Sequence, residues 1–315
     1  MILVVGGRSE PGTRFMCSRL EEYRFSYRVL DLEKYPAQFE VCWQWQNGEV
    51  SGYIRTRDWS LSLDAVTGVY LRDLSLQSRV QQPGLTRDQL QAFYLESDTG
   101  IVALLESLDC PVVNRPTATV SNHSKTYQGL CILRSGLNYP PSLITSDPVA
   151  ARGFCSEWGG RVIYKPLSNA PAEARLLTGD QMDRLNLLGY CPTLFQAFIP
   201  GDDIRMHVVG DRWFATRIRS SAVDYRYPRM PGESPKFCLT TVPPAIVTAC
   251  LQITKGMDLL VAGIDLRETT DGEFYCFEVN PTPGFAFYEE RTGQTISHAI
   301  AELLRTGSSP IKRLP

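Results

Sequence analysis

Glu278 and Asn280 stand two apart in the run YCFEVNPTPGF (275–285), just ahead of a Pro-x-Pro-Gly stop. Aromatic and β-branched residues make this run a strand, and residues two apart in a strand point to one face. Asp265 lies upstream in VAGIDLRE, and an Asp271-Gly272 turn folds 261–281 into a hairpin that brings Asp265 alongside the Glu278 and Asn280 region. Two carboxylates about 4 Å apart repel by roughly 4 kcal/mol at an effective dielectric near 20, so a pair held together in a cleft calls for a cation. Hard oxygen donors without histidine select magnesium, which takes one or two protein carboxylates and fills its other positions with water and nucleotide phosphates. Taken alone, such a constellation is more often a solvated sheet face, so its surroundings must decide.

The elements that position these residues can be read from periodicity. ILVV (2–5), an amphipathic helix over 12–23 and SYRVLDL (26–32) make a βαβ-like start, and Gln46-Asn47-Gly48-Glu49 marks a hairpin. TGVYLRD (67–73) is a further strand, and 86–108 is a long helix that Thr86 can cap. Gly6-Gly7 forms a tight βα turn, since neither G-x-G-x-x-G nor G-x-x-x-x-G-K-[ST] is present. A helix spans 121–136 with Lys125 in its first turn, a short strand precedes the helix AARGFCSEWGG, and RVIYKPLS (161–168) is a strand with Lys165 near its end. Residues 193–221 read as three strands joined at Pro200-Gly201 and Gly210-Asp211, followed by helices near 243–257 and 295–305. The fold class is α/β with α+β lobes.

Composition excludes several classes. The 315 residues, 43% hydrophobic, can bury a sizeable core divided among two or three lobes. Thirty-two basic against 34 acidic residues give a net charge of −2, so nothing supplies the basic field of a general nucleic-acid binder. No apolar stretch approaches the ~20 residues of a membrane span, and the start MILVVGG lacks the charged region of a signal peptide. Nine cysteines without a C-x-x-C pair suit reduced thiols in a cytoplasm, and three scattered histidines (123, 207, 298) give little support to zinc.

Five fragments in order, N-H-S-K-T-Y-Q, V-I-Y-K-P-L, F-Q-x-F-I-P-G-D-D-I-R, A-G-I-D-L-R and F-E-V-N-P-T-P-G-F, resemble the ATP-grasp ligases. The closest likeness is to the RimK-like branch, which includes ribosomal-protein glutamate ligases and the graspetide (microviridin-type) peptide macrocyclases. It runs from about residue 112 to the C-terminus. The resemblance implies an ATP-grasp fold divided into an N-terminal pre-grasp domain (1–113), a lid-like central subdomain (114–192) and a C-terminal subdomain (193–315) that binds nucleotide and metal. It implies ATP and Mg²⁺ as cofactors. Lys125 and Lys165 would meet the nucleotide phosphates as point charges. Gln196, Ala197, Phe198 and Ile199 would form the hinge whose backbone bonds the adenine edge, and Asp203 would accept from the ribose. Arg205 and Arg226 would pair with phosphate or the reacting carboxylate, as a guanidinium fork can. Asp265, Glu278 and Asn280 would hold the metal.

The chain also departs from the family pattern. The glycine-rich loop that commonly follows the second lysine is replaced by SNAPAEARLLTG (168–179), and Tyr227-Pro228 follows Arg226 where some relatives carry Ser-Asn. The resemblance implies a carboxylate ligase acting through an acyl phosphate, with a peptide or small-molecule carboxylate and an amine or hydroxyl acceptor as partners, and neither nucleic acid nor membrane. A peptide-modifying or macrocyclising enzyme is the favoured form. An amino-acid ligase, a kinase on the same fold and a non-catalytic nucleotide-binding protein are the alternatives. The oligomeric state is left open, a homodimer included.

Overall fold

The computed structural model describes residues 1–72, 74, 84–120, 124–167, 174–220 and 235–306. The chain opens with β1 (Ile2–Gly6), α1 (Pro11–Glu22) and β2 (Tyr27–Asp31), then β3 (Glu40–Gln46), β4 (Glu49–Arg55), β5 (Ser60–Ser62) and β6 (Gly68–Leu71). Helix α2 (Arg87–Ser107) and β7 (Val112–Val113) complete this part, and β2-β1-β6-β7 form a parallel sheet. A parallel sheet is buried on both faces, which explains the unbroken apolar run of β1. Leu3 and Val5 pack toward α2, whereas Ile2 and Val4 meet Met16 and Leu20 of α1. Helix α2 begins with a capping box in which Thr86 Oγ1 accepts from Gln89 N and Gln89 Oε1 from Thr86 N, at 3.3 and 3.0 Å. The β3-β4 turn places Asn47 and Gly48 at φ 54° and 82°, the left-handed pair a two-residue hairpin demands.

Next come α3 (Pro116–Thr119), α4 (Lys125–Arg134), β8 (Ser142–Thr145), α5 (Pro148–Glu157), β9 (Val162–Lys165), β10 (Arg175–Leu176), α6 (Gly179–Met182), a 3₁₀ run (Asp183–Tyr190) and β11 (Thr193–Ala197). The strands form an antiparallel sheet ordered β10-β9-β11-β8. A third sheet, ordered β14-β13-β12-β15-β16, is built from β12 (Asp202–Val209), β13 (Arg212–Arg219), β14 (Lys236–Leu239), β15 (Val261–Glu268) and β16 (Phe274–Asn280). It is accompanied by α7 (Pro244–Gly256), α8 (Ala286–Thr292) and α9 (Ile296–Thr306).

Several segments pair or pack across the positions 113/114 and 192/193. Strand β11 pairs with both β8 and β9, so the second sheet runs through Ala197. Ala118, Ile132 and Leu137 pack instead into the core under the third sheet, and α9 returns to the first sheet, where Ala299, Ile300 and Leu304 meet Ile2 and Val4. Helix α9 lies so close that a Cβ on Gly68 would come within 2.7 Å of the Leu304 Cα. Periodicity tells a segment's own shape but not which sheet it completes.

Candidate functional site

Alternation sorts the third sheet into two faces. Ile204, Met206, Ile264, Leu266, Cys276 and Val279 enter a core shared with Ala249, Cys250 and Ile253 of α7 and Ile132 of α4. Arg205 and His207 of β12, Gly263 and Asp265 of β15, and Glu278 and Asn280 of β16 take the other face. Across it Arg205 is the partner of Asp265 and Asp265 of Glu278, while His207 is the partner of Gly263 and Gly263 of Asn280. A bulge between Asp265 and Leu266 shifts the register beyond this point.

The three expected metal ligands therefore share one face. Directly opposed residues hold their Cβ atoms about 5 Å apart, and like charges so placed destabilise a sheet. Arg205 Nη1 donates to Asp265 Oδ1 at 2.6 Å and offsets one charge. Among the described residues the Glu278 carboxylate has no hydrogen bond or ion pair. Asn280 Oδ1 accepts from Thr282 N at 2.8 Å, which fixes the carboxamide with its oxygen still able to act as a ligand. Among the described residues no three His, Cys, Asp or Glu side chains cluster; the donor set is two carboxylates and a carboxamide oxygen. Such hard oxygens fit Mg²⁺.

Arg205 is only 6% exposed and forms the floor of the site. Gly263 makes room for it, since a Cβ there would lie 2.1 Å from Arg205 Nη2. The Tyr288 ring of α8 covers both neighbours, 5.9 Å from the Arg205 guanidinium carbon and 4.9 Å from the His207 ring. Burial and the Arg205 charge hold His207 well below the usual histidine range, so the ring is neutral and Nε2 donates to Gly284 O at 3.3 Å.

Lys125 and Lys165 converge where β9 ends. Ser124 caps α4 by accepting from Tyr127 N, and from the first position of that helix Lys125 Nζ reaches Pro166 O at 2.6 Å. Lys165 Nζ donates to Gln196 Oε1 at 3.3 Å, and Gln196 Nε2 donates to Ser142 Oγ at 2.9 Å. In the expected hinge, Ala197 N and Phe198 N are already donors to Pro141 O and Arg161 O, both at 2.9 Å. Ile199 N has no hydrogen-bond partner among the described residues. Arg267 links this segment to the third sheet: Nη1 donates to Ile199 O at 2.8 Å, while Nε and Nη2 donate to Asp203 Oδ1 at 2.8 and 2.7 Å. Tyr139 stands between the two sheets, bonded to Ser142 and Gln196 and within the field of Glu278; burial pushes its phenol up.

Helix α4 is seated on β16 by Gln128, whose amide donates to Val279 O at 3.0 Å and accepts from Val279 N at 3.3 Å. One buried carboxamide thus completes the outer strand and links the lysine-bearing helix to the carboxylate-bearing strand. Arg226 lies outside the described residues, as do 168–173 of the glycine-poor segment. His207, Gly263, Arg267, Gln128 and Tyr139 were missed in the sequence. The signal open to sequence reading was the two-residue period, which places His207 beside Arg205 and Gly263 beside Asp265.

No helix among the described residues is long and apolar enough to cross a membrane, and all nine cysteines are free. Residues 142–304 match the RimK-like ATP-grasp domain. The macrocyclase MdnC from Microcystis aeruginosa MRC, solved with its precursor peptide MdnA, superimposes with a TM-score of 0.81 at 23% identity, covering 96% of this chain and 99% of that one. The ATP-grasp ligase PsnB, solved with a phosphomimetic variant of its minimal precursor, Mg and ADP, gives 0.79 at 26% identity over 98% of each chain. Beta-citrylglutamate synthase B of Danio rerio is 24% identical over 223 residues, 67% of this chain, and the match spans only 55% of that relative. With the ATP-grasp fold over nearly its whole length, the chain belongs to the RimK-like ATP-grasp family.

Proposed function

We propose that this protein is an ATP-dependent carboxylate ligase that modifies or macrocyclises a peptide. The observation that carries the reading is the opposed pair Asp265 and Glu278, with Asn280 on the same face and Arg205 beneath, linked by α4 to Lys125 and Lys165. Magnesium bound at the three oxygen ligands would neutralise charge on the transferred phosphoryl group. Lys125 and Lys165 would orient the phosphates, Ile199 N the adenine, and Asp203 the ribose. Arg226 is assigned to the phosphate or the reacting carboxylate. A substrate carboxylate oxygen would attack the γ-phosphorus as the bond to ADP breaks. An amine or hydroxyl then adds to the acyl carbon, loses its proton to solvent and expels phosphate. Positioning and electrostatics carry such a reaction, and no protein nucleophile is needed.

A peptide substrate is favoured by the solved relatives that hold precursor peptides. A cleft of about 350 Å³ adds support: it is lined by Tyr164, Leu177, Leu188 and Phe195 with Arg175 and Arg184, chemistry that suits an apolar segment carrying acidic residues. The second reading, ligation of a free amino acid, draws on the beta-citrylglutamate synthase relative. Mass spectrometry after incubation with ATP, Mg²⁺ and a carboxylate-rich candidate peptide separates them. The proposal predicts a loss of about 18 Da for each internal ester or amide, the water of a condensation through an activated acyl group. A gain of one amino-acid residue would retain the ligase and discard the macrocyclase. A gain of phosphate would identify a kinase, and no ATP-dependent change with any carboxylate would favour a binding protein.

A further inference from the structure

The turn after β16 carries two prolines, Pro281 and Pro283, which have no N–H to donate, yet each of its four carbonyls accepts a side-chain hydrogen bond. Asn114 Nδ2 donates to Pro281 O, Arg72 Nη1 donates to both Thr282 O and Pro283 O at 3.2 Å, and His207 Nε2 donates to Gly284 O at 3.3 Å. Asn114 is itself fixed at the start of β15: its Oδ1 accepts from Leu260 N and Val261 N at 2.8 and 3.1 Å. Arg72 follows β6, in the first lobe, and is held by Glu10, whose Oε1 accepts from Arg72 Nε at 3.3 Å and whose Oε2 accepts from Thr13 N at the start of α1. The turn's inner side meets the site directly. Thr282 N donates to Asn280 Oδ1 at 2.8 Å, and the Pro283 ring packs so near Gly263 that a Cβ there would be 2.7 Å away.

We propose that Arg72 is a positioning residue for the metal-binding side chain Asn280, reaching from the N-terminal lobe through the Thr282 and Pro283 carbonyls. The inference rests on the metal reading of Asp265, Glu278 and Asn280. The physical reason is that a proline-rich turn lacks the internal N–H bonds that would fix its own peptide planes. The plane carrying Thr282 N has Pro281 O as its carbonyl and is held by Asn114, while Arg72 holds the next two planes through Thr282 O and Pro283 O, so the Thr282 N–H, and with it the carboxamide of Asn280, is oriented from both sides of the Thr282 Cα by donors outside the turn. Asn114 and His207 are buried within the fold, whereas Arg72 is partly exposed at the lobe boundary, so its removal leaves the cores intact. The first lobe is thereby a working part of the metal site and not only a scaffold.

Manganese(II) as the metal, read by the EPR signal of the ion with enzyme and ADP, tests this without turnover. The proposal predicts that Arg72→Ala weakens Mn²⁺ binding to the enzyme·ADP complex by about 10-fold, the loss typical when a group that orients a metal ligand is removed. Metal-free ADP affinity should change less than about twofold, well under the 1.4 kcal/mol of a tenfold effect. Arg72→Lys keeps one contact and the charge, should show a smaller loss in the same direction, and decides the matter if Arg72→Ala does not fold. Wild-type Mn²⁺ affinity in both variants would overturn the role of Arg72 while leaving the metal site standing. An equal loss of ADP affinity with and without metal would show a general loosening and overturn it as well. Failure of the wild type itself to bind Mn²⁺ with ADP would instead overturn the metal reading, and this inference with it.

Discussion

A Cβ at position 263 would sit 2.1 Å from Arg205 Nη2, so the shortest side chain in the site is as necessary as its charges. Glycine lets the guanidinium lie flat across β15 and reach Asp265, and His207 beside it must stay neutral. Neutrality has a consequence for stability. The unfolded chain takes up a proton on His207 near the ordinary value of 6.5, whereas the folded chain resists until well below it. Between those limits the unfolded state binds more protons, so folding stability is full above about pH 6.5 and falls as pH drops, by up to ~1.4 kcal/mol per unit for one group. Urea unfolding at a series of pH values should show this fall, and His207→Gln should flatten it; an unchanged slope in that variant would assign the fall elsewhere. That Asp265, Glu278 and Asn280 share one sheet face could be read in the sequence, because the two-residue period and the Asp271-Gly272 turn act locally. The contacts of His207 and Gly263 could not, because they depend on how distant strands register.

The longer elements follow their sequence patterns closely, α2 with its Thr86 cap and the β15-β16 hairpin most plainly. Short ones escaped sequence reading: β7, α3, β14 and α8 are each too brief to show a period and exist because neighbours complete them. Helix α8 is the consequential omission, since Tyr288 covers Arg205 and His207. Its neighbour Glu289, 5% exposed, accepts from Ser297 N and Ser297 Oγ at 2.7 Å each and pairs with Arg19 Nε of α1 at 3.2 Å. One carboxylate thus ties α8 to α9 and to the first lobe. Glu289→Ala leaves Ser297 N without its carboxylate acceptor and Ser297 Oγ with only Tyr23 Oη at 3.2 Å, and should cost about 1–3 kcal/mol, measurable as a lower urea midpoint at unchanged slope. A loss under about 0.5 kcal/mol, the scale of an ordinary surface change, would mean that water replaces the carboxylate.

Across the whole molecule, three sheets divide the work. The second carries Lys165 and Gln196, the third carries the proposed oxygen ligands Asp265, Glu278 and Asn280, and the first reaches the turn beside them through Arg72. Where α4 and α9 pack was not legible in the sequence, because each lies against a sheet whose strands are far from it in the chain. The central claim is that Asp265, Glu278 and Asn280 hold a divalent cation against a nucleotide. Calorimetric titration of a non-hydrolysable ATP analogue, with and without Mg²⁺, into wild type and Glu278→Ala tests it most directly. The account predicts that Mg²⁺ tightens wild-type binding about 10-fold or more, a gain of at least ~1.4 kcal/mol. The gain should vanish in Glu278→Ala while metal-free binding persists. Equal wild-type affinity with and without Mg²⁺, or a full magnesium gain in Glu278→Ala, would contradict it.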